Sequence, residues 1–486
     1  MLIYVIINFI FAYHHEPWFD EARAWEIARV ISPSNFSSVL SNEGHPCLWY
    51  LFLIPFVRLG LPYEWIKYIS LSVMCTASGL LLFSPRIYRV TDLITVVAVI
   101  FTPPFMYHYS AIARSYCLAT LLIIIIAIMW KTHKDHPVRI CIATALLIQT
   151  HIFVTGFCFG LCVVMLAESI IRLKEEKKKS CVILASLLIP LGSALFYFIE
   201  FRHIFDHAII KRGDRGMDGY ILPFFLQLYN LLGDTGMILL IICIPMVMFY
   251  VIYTVIRKKD RSVLLPLIVF ISGCVGIAVI SHFYITITRG FFLIGIMALF
   301  VILNISATDD KHVRAIDVLP VLSVLILLVS VWINHGKMIA DDQKSLFSDA
   351  RHTSQIINSL PKGSVIYNYC AYPCESLLPY LNDSHEMNTP DGHELIEDIT
   401  YWYERQNKHL RGQNPTLFIE EQHPEYEEIY VLFPMSTNNS QVPPQYCNIN
   451  YIAAGHEYEL IYTSPDDVFF ADGLEKFGVM RITLNR

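Results

Sequence analysis

Residues 117–130 read CLATLLIIIIAIMW, fourteen positions without a charge, a glycine or a proline. Such a stretch has to leave water, and wound as a helix it covers most of a hydrocarbon layer. Outward from it, comparable apolar runs occupy 66–83, 93–105, 140–167, 182–198, 237–255, 263–280, 291–305 and 316–332, with shorter ones at 1–13 and 48–57. Backbone inside lipid must be satisfied within its own segment, so the succession predicts a polytopic α-helical membrane protein of about eleven spans. Gln149, Thr150, His151 and Gly156 interrupt the 140–167 run, which predicts two helices with a turn at the far face. The 48–57 run reads as a partly inserted helix. The first thirteen residues lack a positive n-region and a small-residue cleavage site, so they read as a helix and not as a signal peptide.

Composition points the same way. Of 486 residues, 55% are hydrophobic and 16% charged, against roughly 25% charged in soluble domains. A net charge of -6 leaves no electrostatic footprint for nucleic acid. Residues 1–333 hold 26 Lys+Arg against 20 Asp+Glu, whereas 334–486 hold 10 against 22. Lys131, Lys134 and Arg139, then Arg172, Lys174 and Lys177 to Lys179, then Arg257 to Lys259 with Arg261, and Lys311 with Arg314 mark loops expected on the cytoplasmic side. The protein is therefore expected to be a multi-pass plasma-membrane protein with 1–333 as its membrane domain. The acidic segment 334–486 is expected as a small extracytoplasmic α/β domain, with strands near 363–367, 428–433, 458–462 and 479–484. One disulfide is open to Cys370, Cys374 and Cys447.

The densest chemistry follows the first apolar run, in Glu16-Pro17-Trp18-Phe19-Asp20-Glu21-Ala22-Arg23-Ala24-Trp25. Trp18, Ala22, Trp25 and Ala28 recur at helical spacing, as in a helix lying at the membrane interface within a first outer loop, 14–45. The plain reading of Asp20 and Glu21 is an N-cap and a first-turn dipole partner. A second cluster, Glu43-Gly44-His45-Pro46, places an acid and a histidine just before the helix opened by Pro46. A third, Tyr107-His108-Tyr109-Ser110-Ala111-Ile112-Ala113-Arg114-Ser115-Tyr116, carries an arginine at an outer helix end. His151 and Arg289 face the same side on this topology.

These three motifs, in order within a multi-span chain, resemble the lipid-phosphate-sugar-dependent glycosyltransferases of the GT-C superfamily, which include protein O-mannosyltransferases and aminoarabinose transferases. Asp20-Glu21 matches the family's acidic pair in the first extracytoplasmic loop, and His45-Pro46 matches its pair at the next helix start. Tyr107 to Tyr116 matches its aromatic-Arg-aromatic segment. The resemblance covers about the first 160 residues with motifs and the rest by hydropathy; Cys47 departs from it where relatives repeat proline.

The resemblance implies that a sugar moves from a polyprenyl-phosphate donor to an acceptor hydroxyl on a lipid, protein or polysaccharide, at the extracytoplasmic face and with inversion. Asp20, with Glu21, would then be catalytic, Asp20 taking the hydroxyl proton. The leaving group is a lipid phosphate gaining negative charge, which calls for cations and hydrogen-bond donors. His45, Arg114, Tyr116, His151, Arg289 and Glu43 are the candidates for holding donor phosphate or substrate, arginine because its fork fits phosphate oxygens. Glu21 and Glu43 leave a divalent cation open, although no Asp-x-Asp or His-x-x-x-His spacing supports one. The basic stretch Lys211-Arg212-Gly213-Asp214-Arg215-Gly216 reads equally as a substrate clamp and as a solvated connector or a contact for anionic membrane lipid. Two other classes fit less well. A transporter would show related halves and polar residues at mid-membrane, and a membrane-anchored binding module needs far fewer spans.

Overall fold

A computed structural model describes the chain apart from residues 41–44, 86, 88, 207–217, 259–263, 284–287, 306–315, 317, 371, 383–386, 389–412, 438–443, 470–472 and 485–486. Glu43, the stretch 211–216 and the loop cations Lys259, Arg261, Lys311 and Arg314 lie outside the described residues. Two compact units emerge. One comprises Met1–Tyr13, Glu43–Trp49 and Tyr68–Ile339; the other comprises His14–Asn42, Tyr50–Lys67 and Ala340–Arg486.

Among the described residues the helices up to the tail are α1 Leu2–His14, α2 Phe19–Val30, α3 Phe36–Leu40, α4 Leu48–Arg58, α5 Trp65–Leu82, α6 Val90–Ile100, α7 Tyr116–Met129, α8 Pro137–Ile148, α9 Thr155–Arg172, α10 Lys177–Ser186, α11 Leu188–Asp206, α12 Asp218–Lys258, α13 Leu264–Phe283, α14 Thr288–Ile305 and α15 Val318–Asp342. Among the described residues, six stretches are long and apolar enough to cross a membrane: Trp65–Leu82, Ile152–Arg172, Lys177–Glu200, Leu222–Ile256, Leu264–Ser281 and Val318–Asp342. Shorter apolar helices accompany them, α1, α4, α6 and α8 among these. Leu191, Ile241, Phe249 and Val275 each stand more than half exposed on these helices. Faces of that kind suit a lipid solvent, because water would penalise them. The chain is a multi-pass membrane protein.

In lipid, helices gain little from burying apolar area against each other, so close backbone approach does the work. A β-carbon added at Gly156 would meet Gly276 Cα at 2.7 Å, and one at Gly160 would meet Ser272 Cβ at 2.8 Å. Helices α9 and α13 therefore touch backbone to backbone, with Ser272 Oγ donating to the Gly156 carbonyl at 2.8 Å. The break in the 140–167 run is as expected: α8 ends at Ile148, and a 3-10 turn over Ile152–Val154 leads into α9. Helix α12 is interrupted at Gly233 (φ 67°, ψ -178°), a conformation open essentially to glycine alone. The carbonyl of Leu231 beside the break accepts from Asn334 Nδ2 at 3.4 Å and faces His335 Nε2 at 3.2 Å.

In the second unit, helix α2 packs against 3-10 turns at Tyr372–Ser376 and Leu378–Tyr380. Its residues Glu21, Ala22, Ala24, Trp25, Glu26, Ile27 and Ala28 are all buried, so the helix is enclosed on nearly every side. Helices α16 Ala350–Asn358, α17 Pro415–Gln422 and α18 Ile449–Ala453 surround a five-stranded mixed sheet. Its strands β1 Ile366–Asn368, β2 Met387–Asn388, β3 Glu428–Pro434, β4 Glu457–Thr463 and β5 Phe477–Thr483 lie in the order β2-β1-β3-β5-β4. β1 runs parallel to β2 and β3, while β5 runs antiparallel to β3 and β4. The continuous apolar run Ile429 to Phe433 forms the central strand, buried on both faces. Cys370, Cys374 and Cys447 are free thiols, as are the other nine cysteines, so the disulfide left open by the sequence is not formed.

Candidate functional site

In the first unit the chain delivers basic groups to one place from three segments. Residues 104–108 form a short π-helix after α6, a rare conformation met mostly at functional sites. Tyr4 Oη in α1 donates to the Phe105 carbonyl at 2.8 Å, Ser110 Oγ donates to Asn8 Oδ1 at 2.7 Å, and Ser70 Oγ donates to the Tyr109 carbonyl at 2.9 Å. The segment that ends in Arg114 is thus bolted to α1 and α5. The His45-Pro46 turn is tied elsewhere: the Leu48 backbone N–H donates to the Gln149 carbonyl at 2.9 Å, and Cys47 Sγ donates to Gln149 Oε1 at 3.5 Å. Gln149 belongs to the α8–α9 turn, the same turn that carries His151.

Arg114 and His45, 69 residues apart in sequence, meet there, with Arg114 Nη2 2.7 Å from His45 Nε2. Arginine can only donate, so His45 accepts through Nε2 and carries its own proton on Nδ1. The His45 and His151 ring centres are 5.2 Å apart, and His151 lies 4.5 Å from the Tyr116 ring. Tyr116 stacks in turn on Tyr109 at 5.0 Å. His151 is buried, and its Nδ1 accepts the Phe153 backbone N–H at 3.2 Å, which puts the ring proton on Nε2. Burial, then His45 and Arg114, hold its pKa well below the ordinary histidine value. Its Nε2 is buried and has no hydrogen-bond partner among the described residues. A buried donor left unmade costs about 1–3 kcal/mol, which a bound acceptor would recover.

Of the other sequence candidates on this side, Arg289 lies in the first turn of α14, and its side chain is outside the described residues. Its neighbour Gly290 is covered by the Phe153 ring, 2.1 Å from where a β-carbon would sit. The start of α14 therefore abuts the turn bearing His151. Glu43 lies outside the described residues.

The acidic pair belongs to the second unit, and its two members have different surroundings. Trp18 occupies the N-cap of α2, so Asp20 sits inside the first turn, half-buried. Glu21 is completely buried: its Oε2 accepts the Trp18 backbone N–H at 3.2 Å and lies 3.1 Å from His15 Nε2. His15 Nδ1 lies 3.2 Å from Asp342 Oδ2, and Lys67 Nζ donates to the His15 carbonyl at 2.6 Å. Burial works against a charge on this ring, but Asp342 and Glu21 outweigh it, and the pKa is pushed up to about 9. The imidazolium then donates to a carboxylate from each nitrogen.

Beside Asp20, Glu475 reaches the start of α2, where its Oε1 accepts the Phe19 N–H at 2.7 Å and its Oε2 accepts from Ser348 Oγ. Burial, against hydrogen bonds from Ser348, Phe19 N–H and Ser376, pushes its carboxyl up to about 8. Arg23 Nη1 pairs with buried Glu375 at 2.6 Å. Sequence reading gave none of His15, Glu475, Glu375 and Gln149 a place in the site. Only Gln149 left a signal, as the polar break in an apolar run. Among the described residues no group of three or more His, Cys, Asp or Glu is arranged to hold a metal ion.

Apolar helices that end in an arginine–histidine cluster, followed by a mixed α/β tail, make up a multi-pass membrane fold. Two solved structures share it along nearly its whole length, both crystal structures of ArnT from Cupriavidus metallidurans. The apo form matches with a TM-score of 0.51 at 12% identity over 99% of this chain and 97% of that one; the form bound to undecaprenyl phosphate gives 0.52 at 12% over 99% and 96%. No protein-family model and no curated protein matches the sequence.

Proposed function

We propose that this protein is a membrane glycosyltransferase that moves a sugar from a polyprenyl-phosphate donor to an acceptor hydroxyl. The observation that carries the reading is the cluster of buried Arg114 and His151 with half-buried His45, and the unfilled Nε2–H of His151. A guanidinium and a ring N–H donor gathered in a site of low dielectric suit a phosphate whose charge grows as the sugar leaves. An ArnT with the same fold binds undecaprenyl phosphate, which is the leaving group this chemistry requires.

In the reaction Asp20 takes the proton of the acceptor hydroxyl as its oxygen attacks the anomeric carbon. The bond to the phosphate oxygen breaks on the opposite face, and the lipid phosphate leaves with the electron pair. Arg114 and His151 hold that phosphate, and His45 orients the arginine. Tyr116 backs His151, and Arg289 and Glu43 are assigned to donor phosphate or substrate. Glu21 acts through His15, by fixing the turn that precedes Asp20. The assignment of Asp20 is supported by its sequence motif, and the extracytoplasmic placement of the chemistry and of the tail by the loop charges. The acceptor is a lipid, protein or envelope polysaccharide.

The test uses purified full-length protein. Undecaprenyl phosphate should bind, and Arg114→Ala should weaken binding about 30-fold or more, the scale of a lost charge-assisted contact of 2 kcal/mol or more. Polyprenyl-phosphate sugars offered with candidate acceptors should be turned over by wild type and not by Asp20→Asn. Wild-type transfer by Asp20→Asn would refute the base assignment, and unchanged lipid binding by Arg114→Ala would refute the phosphate site.

A further inference from the structure

Gln149 is a buried amide, 8% exposed, at the C-cap of α8, directly after the aliphatic stretch Ala145-Leu146-Leu147-Ile148. Its backbone makes the cap, with the N–H donating to the Leu146 carbonyl at 3.0 Å. The side chain takes no part in that, and both of its polar atoms leave α8. Nε2 donates to the Ser193 carbonyl of α11 at 2.8 Å and to Ser193 Oγ at 3.0 Å, while Oε1 accepts from Cys47 Sγ at 3.5 Å. A carbonyl only accepts, so Nε2 has to be the atom facing Ser193 and Oε1 the atom facing the thiol. The amide is fixed one way round. Ser193 Oγ gives its own proton to the Ala145 carbonyl at 2.8 Å, which ties the anchor back to α8.

We propose that Gln149 is a positioning residue for the lipid phosphate, setting where His45 stands against His151 and hence where Arg114 aims its guanidinium, an assignment that rests on the phosphate role proposed above for Arg114. The Leu48 backbone N–H donates to the Gln149 carbonyl at 2.9 Å. With the thiol contact, one residue therefore grips Cys47 and Leu48 at once, across 102 positions of sequence in the case of Cys47. His45 lies two residues before Cys47, and His151 two residues after Gln149. The path between the two histidines is thus short, and Pro46 removes one free torsion from it. The rings end 5.2 Å apart, with His45 Nε2 accepting from Arg114 Nη2 at 2.7 Å. A buried polar network in which every member is satisfied specifies one arrangement, and a misplacement of about 1 Å in a group that meets the substrate costs up to about 100-fold. For packing alone, a leucine at 149 would continue the apolar run. The bond to Leu48 uses backbone on both sides and survives any substitution at 149, so a variant reads only the side chain's share of the grip.

The experiment measures binding of undecaprenyl phosphate to the full-length protein in mild detergent, with undecaprenol as the same tail lacking the phosphate. Gln149→Leu should weaken the phosphate lipid about tenfold and leave undecaprenol as in wild type. Cys47→Ala should weaken it about threefold, whereas Cys47→Ser, which keeps a donor for Oε1, should bind as wild type does. In an Arg114→Ala background Gln149→Leu should add less than about twofold, since a residue that acts by aiming the arginine then has nothing to aim. Undiminished binding by Gln149→Leu overturns the inference, as does equal binding by Cys47→Ala and Cys47→Ser. A loss that falls equally on undecaprenol, or that recurs in full without Arg114, also overturns it, because either marks damage to the fold and not to the aim. Wild type binding the phosphate lipid no better than undecaprenol refutes the phosphate site itself, and this role with it.

Discussion

The two units each bury a histidine among charged groups, to opposite effect. Around His151 the groups are basic or neutral: Arg114 contributes a cation, His45 and His151 are uncharged donors, and a buried N–H is left over. Around His15 the balance is reversed, since Glu21 and Asp342 flank the ring and Lys67 closes the loop over it. On the proposed function, an anion from outside completes the first group. The other supplies its own counter-charges. The proposed function gives the first a role in binding, and the second holds the turn that leads into Asp20.

Removing His15 is the most severe way to break that contrast. His15→Ala leaves two buried carboxylates facing Lys67, and the loss of one partner from a buried charge cluster costs about 3–5 kcal/mol. Hydrogen exchange should show α2 opening far more readily, while the affinity for undecaprenyl phosphate at Arg114 stays as in wild type. Protection of α2 unchanged in the variant would show that the cluster is not what holds the turn.

pH should divide the units next. His15 is raised from 6.5 to about 9 and Glu475 from 4.5 to about 8. Groups with raised folded values give stability that is fully present below the unfolded value and is lost as pH climbs to the folded one. The Glu475 contribution should therefore fade between about pH 4.5 and 8, and that of His15 between about 6.5 and 9. Together they should lower protection of α2 steadily as pH rises from 5 to 9. Glu475→Gln should flatten the lower part of that slope and leave the upper part; a slope identical to wild type would remove Glu475 from the account.

The smallest effect is expected at His151. His151→Phe keeps a ring beside Tyr116 but deletes the unfilled donor, so undecaprenyl phosphate should bind about tenfold more weakly, a single hydrogen bond of about 1.4 kcal/mol. Tighter binding would mean that Nε2 faces no acceptor in the complex.

Much of the architecture was legible because it depends on local pattern. The apolar runs gave the helices, Gln149 to His151 marked the turn between α8 and α9, and the block Glu428 to Phe433 gave the central strand. Strand β2 escaped because two residues, Met387 and Asn388, carry no periodicity. The surroundings of Asp20 escaped for a different reason. His15 finds Asp342 at a separation of 327 residues, and Phe19 finds Glu475 at 456. Partnerships at that range depend on the fold, and no short pattern announces them. The depth of Glu21 was likewise invisible, since an acid in a first helical turn ordinarily faces water. Arg114 and His45 were legible as a pair only through the order of their motifs.

The contact of Gly156 with Gly276 bears on how such a site tolerates sequence drift. The turn carrying His151 is held in register by missing atoms, because each backbone fills the space where the other's side chain would be. Every possible replacement at either position adds matter, so the error is always a wedge and never a gap. Neighbouring side chains can shift or grow to fill a gap, but none of them can absorb a wedge between two main chains. A register written in this way leaves the surrounding residues free to diverge, which accords with a shared fold at 12% identity.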